Sequence, residues 1–201
     1  MARILFLNIK IMNSYKEVEG CLIEKSLNGE FDIIAHGCNC FCTMQSGIAP
    51  QMAKTFGCDE FWLENIMFKG DISKLGYLYY NSVYFKKGTN IIIDSETHHT
   101  SEDDTVEIVV INAYTQYEPG SNLDYEALTL CLRKINHIFK GKHIGLPLIG
   151  CGIAGGIWDQ HQLSDDDFKD YENGKYQSIF VKTIIQEELK DMDVTIVHYK
   201  K

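Results

Sequence analysis

Three runs of large apolar residues in this sequence each stop abruptly on polar residues or glycines, and no other feature limits the fold as strongly. Ile33-Ile34-Ala35 runs into His36-Gly37-Cys38-Asn39, and Val109-Val110-Ile111 runs into Asn112-Ala113-Tyr114-Thr115-Gln116. Leu146-Pro147-Leu148-Ile149 runs into a loop with four glycines among the seven residues from Gly150 to Gly156. Short continuous apolar runs bounded by turn residues are the mark of strands buried on both faces. In open α/β sheets ligands bind beyond the carboxyl ends of the strands, so three polar strand ends predict one shared cleft.

The remaining pattern fits an alternation of strands and helices. Arg3–Leu7, Phe31–Ala35, Val106–Ile111, His143–Leu148 and Val194–Tyr199 read as strands. Tyr77–Phe85 and Asn90–Asp94, joined by Lys86-Lys87-Gly88-Thr89, read as a hairpin. Helical spacing covers Gly47–Phe56, Glu60–Phe68 and Ile179–Leu189. It is clearest after Ser121-x-x-Asp124, which has the form of a capping box and opens a helix running to Gly141. The polar segment Ser95–Asp104, with His98 and His99, reads as a solvated loop, and residues 159–176 as an acidic surface insertion. A central mixed sheet with helices on both faces is therefore predicted within one domain spanning residues 1–201.

Charge and cysteine usage narrow the partners. With 19 Lys and Arg against 28 Asp and Glu, the net charge of -9 and the lack of a basic stripe disfavour an extended nucleic-acid surface. A small anion remains a possible ligand, because backbone N–H groups at loops and helix starts provide local positive potential whatever the net charge. No apolar run is long enough to span a bilayer and the first residues do not form a signal peptide, so no membrane partner and a cytoplasmic setting are expected. The odd count of seven cysteines fits reduced thiols. Cys38, Cys40 and Cys42 beside His36 lack the spacing of zinc knuckles, and neither a metal nor a cofactor is expected.

The strand ends carry the chemistry. His36 alone reads as a hydrogen-bonded core histidine; its place beside Asn39 and glycines makes it a candidate proton shuttle. Ser46-Gly47-Ile48 opens a helix whose free N–H groups suit an anion. Gly150, Gly152 and Gly155 satisfy the dinucleotide pattern G-x-G-x-x-G, but the further βα units of a dinucleotide fold do not follow. Cys151 could be a nucleophile in a donor-rich loop, yet a small packed side chain is the simpler reading.

Jointly, Ala35-His36-Gly37-Cys38-Asn39, Gly47-Ile48-Ala49, Tyr114-Thr115-Gln116 and Pro147-Leu148-Ile149-Gly150-Cys151-Gly152 resemble the macro domain family from about Glu19 to Tyr199. The resemblance is strongest to the branch of ADP-ribose-1″-phosphate phosphatases found in yeast and bacteriophages, which for a viral protein implies the host cytoplasm. It implies a three-layer α/β/α fold with a central mixed β-sheet, and ADP-ribose or ADP-ribose-1″-phosphate as ligand. It also implies contacts from Ile34, Ala35, Asn39, Ser46, Gly47, Ile48, Tyr114, Thr115 and Gln116, and from Gly150, Cys151, Gly152, Ile153, Ala154 and Gly155. Removal of the 1″-phosphate is the implied activity, with His36, Asn39 and Asp159 as catalytic residues. A noncatalytic ADP-ribose reader and a hydrolase freeing ADP-ribose from modified macromolecules are the alternatives. Two positions depart from the family: Cys21 stands where many members carry the aspartate that accepts from adenine, and Ile157 stands where an acid is common before Trp158.

Overall fold

The computed structural model describes residues 14–60, 69–93, 104–172 and 180–199. Its element order is β1 (Tyr15–Gly20), α1 (Leu22–Leu27), β2 (Ile33–Asn39), α2 (Ala49–Phe56), β3 (Leu78–Lys86), β4 (Thr105–Gln116), α3 (Tyr125–Ile138), β5 (His143–Leu146), α4 (Asp165–Glu172), α5 (Val181–Glu188) and β6 (Asp193–Tyr199). The expected strand at Arg3–Leu7, helix at Glu60–Phe68 and loop at Ser95–Asp104 lie wholly or largely outside the described residues.

Among the described residues, six strands form one sheet in the order β1-β6-β5-β2-β4-β3. All neighbours are parallel except β3, which runs antiparallel to β4 from Leu78↔Ala113 to Lys86↔Thr105. Successive strand residues face opposite sides of a sheet. Thus Ile33, Ala35, Ile111, Ala113 and Leu146 pack with Leu128, Leu132 and Ile135 of α3 and with Val181 and Ile185 of α5. Ile34, Ile108, Val110 and Val197 face the other way, onto Leu22 and Ile23 of α1 and Met52 and Phe56 of α2. The result is the expected three-layer α/β/α arrangement around a mixed sheet. Each fully buried Leu or Ile in these two layers contributes about 1.5–3 kcal/mol.

Several boundaries differ from the expectation, each for a local reason. β1 lies outside the expected strands: Tyr15-Lys16-Glu17-Val18-Glu19 is rich in charge, and among the described residues it pairs with one neighbour, β6. Of the second arm of the expected hairpin, the described residues keep an antiparallel bridge between Phe85 and Ile92, with the Lys86 N–H donating to Ile91 O and the Ile93 N–H to Tyr84 O, while β3 pairs along nine residues with β4. β4 continues five residues past Ile111, carrying its polar end to Gln116, and β5 ends at Leu146, before Pro147. The acidic segment after Trp158 contains a 3-10 turn at Gln160–Gln162 and α4, with Asp165 and Asp166 exposed. Among the described residues, no helix is long and apolar enough to cross a membrane.

The helix start at Ser121 is also corrected. Asp124, not Ser121, is the N-cap of α3, and its carboxylate accepts from the Ala127 N–H at 2.8 Å. Leu123 bridges Gln116, and the Asp124 N–H donates to Thr115 O, so the chain stays extended until Asp124. Asp124→Ala is expected to cost about 1 kcal/mol, the usual value of such a cap, read as a lower urea midpoint at unchanged slope. An unchanged midpoint would show that the turn is held by other contacts.

Candidate active site and ligand cleft

Because β1, β6, β5, β2 and β4 are parallel, their carboxyl ends lie along one edge of the sheet. A cavity of about 470 Å³ opens there. That size suits a small-molecule ligand, for which pockets of roughly 300–1,000 Å³ are usual. Neighbouring strands stand about 4.8 Å apart, so five strand ends span about 19 Å, enough for a base, a diphosphate and a sugar in line.

The lining changes character along this edge. After β1 and at the end of β6 the wall is Cys21, Leu22, Val197 and Tyr199. In the middle, the loop after β5 supplies Pro147 to Ala154, facing Ser46, Gly47 and Ile48 at the start of α2. At the ends of β2 and β4 come Asn39, Thr43, Thr115 and Gln116. Among the described residues, no Asp, Glu, Lys, Arg or His side chain lines the cavity.

The two central loops supply backbone donors instead. Gly150 (φ +75°) turns the chain out of the sheet, and the loop is closed by Gly155 N–H to Gly152 O at 3.1 Å and Gly156 N–H to Gly150 O at 2.8 Å. Gly156 cannot carry a side chain, since a Cβ would lie 2.8 Å from Gly150 O. Within this frame the N–H groups of Gly152, Ile153 and Ala154 have no protein acceptor among the described residues, and neither do those of Ser46, Gly47 and Ile48. Clustered donors of this kind, one set at a helix start, form an anion-binding concavity.

The structure gathers Asn39, Ser46, Gly47, Ile48, Thr115 and Gln116 into the lining, together with Gly150, Cys151, Gly152, Ile153 and Ala154. It does not bring the others there. Ile34 and Ala35 are core residues with no exposed surface, and Tyr114 is buried beside Cys38 and Cys42. Gly155 shapes the loop from behind, where a side chain would collide with Ser121. Asp159 caps the 3-10 turn, accepting from the His161 N–H at 3.1 Å, and stands 3.9 Å from Lys182 Nζ, away from the lining.

His36 stands apart from the lining. It lies on the α2 side of β2, fully buried, with Nε2 2.7 Å from Asn112 Oδ1. Asn112 Nδ2 donates to Cys58 O, so Oδ1 is the acceptor and the His36 proton sits on Nε2. Burial holds its pKa down at about 4, against the smaller opposing effect of the Asn112 bond. Such an imidazole neither lines the cleft nor takes up a proton near neutrality. Cys151 does line the cleft, but burial and then the charge of Asp159 push its thiol up to about 12, so it stays protonated and weakly nucleophilic. The Asn39 carboxamide is spent locally, donating to Thr43 Oγ1 at 2.8 Å and accepting from the Thr43 N–H at 3.3 Å.

Sequence reasoning missed the far apolar wall. Val197 and Tyr199 are two apart at the end of the last strand, and that spacing beside a parallel neighbour was the available signal. Among the described residues, no group of three or more His, Cys, Asp and Glu side chains could hold a metal.

No family model matches the sequence. Over 152 residues it is 35% identical to the uncharacterized 17.5 kDa protein of the tk-vs intergenic region of Enterobacteria phage T4, covering 72% of this chain and 83% of that one. The fold is similar to the macrodomain of Mycobacterium tuberculosis DarG, with a TM-score of 0.52 at 16% identity over 92% of this chain and 97% of that one. It is also similar to Thermosipho africanus DarTG, solved in complex with ADP-ribose, with a TM-score of 0.52 at 15% identity over 92% of this chain and 41% of that one. The chain belongs to the same family as the phage T4 17.5 kDa protein, and its fold is that of a macrodomain.

Proposed function

We propose that the cleft binds ADP-ribose or a close nucleoside-diphosphate sugar, with the diphosphate between the loops at Ser46–Ile48 and Gly150–Ala154. The observation that carries this reading is the set of N–H groups on both loops that have no protein acceptor among the described residues, in a cavity whose described lining holds no charged side chain. Backbone donors stabilise a dianion without a cation, and each charge-assisted bond is worth about 1.5–3 kcal/mol. The base lies toward Cys21, Leu22 and Tyr199, where apolar and aromatic surface is concentrated, and the terminal ribose toward Asn39 and Thr115. Without a carboxylate at Cys21 the base is read by contact and stacking more than by its exocyclic amine.

The finer question is turnover. Hydrolysis of ADP-ribose-1″-phosphate needs proton transfer at the leaving oxygen or the attacking water, and a positioned acid or base usually supplies about 10²–10⁴-fold. With His36 buried and Asp159 engaged elsewhere, the titratable side chains lining the cavity among the described residues are the thiols of Cys21 and Cys151 and the Tyr199 phenol. This favours the noncatalytic reader over the phosphatase and over a hydrolase acting on modified macromolecules.

Calorimetric titration tests the binding reading. ADP-ribose should bind more tightly than ADP, and ADP more tightly than adenosine; equal affinity for all three would remove the diphosphate from the loops. Incubation with ADP-ribose-1″-phosphate should release no phosphate above background. Steady release by the pure protein would restore the phosphatase reading.

A further inference from the structure

Val197 and Tyr199 stand two apart on β6, so both face the side of the sheet covered by α1 and α2. Leu22 and Val197 are buried, and they carry the apolar layer beneath α1 into the cavity wall. Tyr199 forms the rim. Its register partner on β1 is Gly20, which has no side chain to pack against the ring, and Tyr199 is 65% exposed.

The charges at this end are turned to the opposite face. Glu17 and His198 alternate with Val18 and Val197, and the Glu17 carboxylate accepts from the Tyr15 hydroxyl at 3.0 Å and from Lys182 Nζ and His198 Nε2 at 2.7 Å each. The His198 ring stands edge to face with Trp158, in the layer of α3 and α5. Glu19 alternates onto that face as well. Lys25, whose stem passes Gly20, carries its ammonium to Glu30 at 3.1 Å. Among the described side chains, this end of the cavity therefore offers a half-buried thiol, two aliphatic groups and a phenol.

Such a wall has little with which to tell one nucleobase from another. A thiol is a weak donor and a weak acceptor, unlike the carboxylate or amide that reads a base edge. A site built to hydrogen-bond a substrate group rejects an analogue lacking it by about 10⁴–10⁵-fold, whereas an apolar pocket separates near-isosteres by only about 10–200-fold. Stacking on an aromatic ring discriminates less still, because every base has a π-face. At an exposed rim the amino or carbonyl edge of the base keeps its water and is not left unpaired.

We propose that the Cys21–Leu22–Val197–Tyr199 end of the cleft accepts amino and keto bases, purine and pyrimidine, alike, so that the ligand class is the nucleoside-diphosphate ribose and not its adenine member in particular. This rests on the ligand class and the placement of the base proposed above.

The test titrates ADP-ribose, IDP-ribose and UDP-ribose, which differ only in the base, into wild type, Tyr199→Ala, Tyr199→Phe and Cys21→Asp, with a melting curve for each. Wild type should bind the three within about tenfold of one another. Tyr199→Ala should weaken all three by about tenfold at an unchanged Tm, and Tyr199→Phe should retain them. Cys21→Asp supplies a carboxylate that accepts from the adenine amine and repels the hypoxanthine carbonyl. It should raise the preference for ADP-ribose over IDP-ribose about tenfold above the wild-type ratio. A gap beyond about tenfold between any two ligands on wild type overturns the proposal. Unchanged affinities in a folded Tyr199→Ala protein also overturn it, since the base then does not touch this wall, as does an unchanged ratio in a folded Cys21→Asp protein. If wild type binds none of the three, the ligand class and the base tolerance fall together; if it binds ADP-ribose alone, only the base tolerance falls.

Discussion

Acidification from about pH 7 to about pH 4 is expected to remove about 3 kcal/mol of folding stability through His36 alone. The imidazole ordinarily titrates near 6.5 and in the folded protein near about 4. Between those values the unfolded chain binds a proton that the native chain refuses, so stability is whole above the unfolded pKa and declines as pH falls toward the folded one. The cause is burial without a compensating charge: Asn112, Cys38 and Cys58 surround the ring, and none is an anion. Burial raises both thiols, keeping them neutral in this range. His36→Gln places an amide donor near the position of Nε2 and does not titrate. Its stability at neutral pH should be lower, since the fit to Asn112 is imperfect, but its decline with acid should be shallower than that of wild type. Urea unfolding of both proteins across this range subtracts the carboxylates they share. Parallel pH profiles would mean that the imidazole opens to solvent before the domain unfolds.

The same residue shows where the sequence was legible and where it was not. A run such as Ile33-Ile34-Ala35 announces a buried strand, and its polar continuation announces a strand end. Which side of the sheet His36 faces depends on register, and one step of register exchanges the faces. In the structure Gly37 lines the cleft, while His36 falls among α2-side residues and bonds Asn112 directly across the β2–β4 pair. The glycine loop was readable because glycine density at a strand end has few other causes. A lone carboxylate after a tryptophan carries no sign of its partners, and only the fold shows Asp159 capping a turn near Lys182. β1 was hidden by its charge, and Tyr199 by its separation of some 178 residues from Cys21, its neighbour in the wall. Patterns within one element survive in sequence; contacts between the ends of β1 and β6 do not.

Gly152→Val is expected to weaken ADP-ribose binding by about 100-fold while leaving the melting temperature within a degree or so of wild type. Most glycines of this loop could not support such a clean result. Gly150 has φ +75° and a Cβ there would press on Leu123, and Gly156 is closed off by the backbone of Gly150. Gly152 is different: its φ is one any residue adopts, and a Cβ built there meets nothing within 4 Å. In the free protein valine therefore projects into open space on the cavity wall and disturbs no packing. In the proposed complex it stands where a phosphate oxygen would come within about 3 Å of the Gly152, Ile153 and Ala154 N–H groups. Losing one or two charge-assisted bonds at about 1.5–3 kcal/mol each corresponds to about 100-fold in affinity. Gly152→Ala should fall between the two, and adenosine, which has no phosphate, should bind all three proteins alike. Isothermal titration with ADP-ribose and adenosine, beside a thermal melt, makes the measurement. A folded Gly152→Val protein with wild-type affinity for ADP-ribose would take the glycine loop out of the site, and the two loops would then have to be read as structure alone.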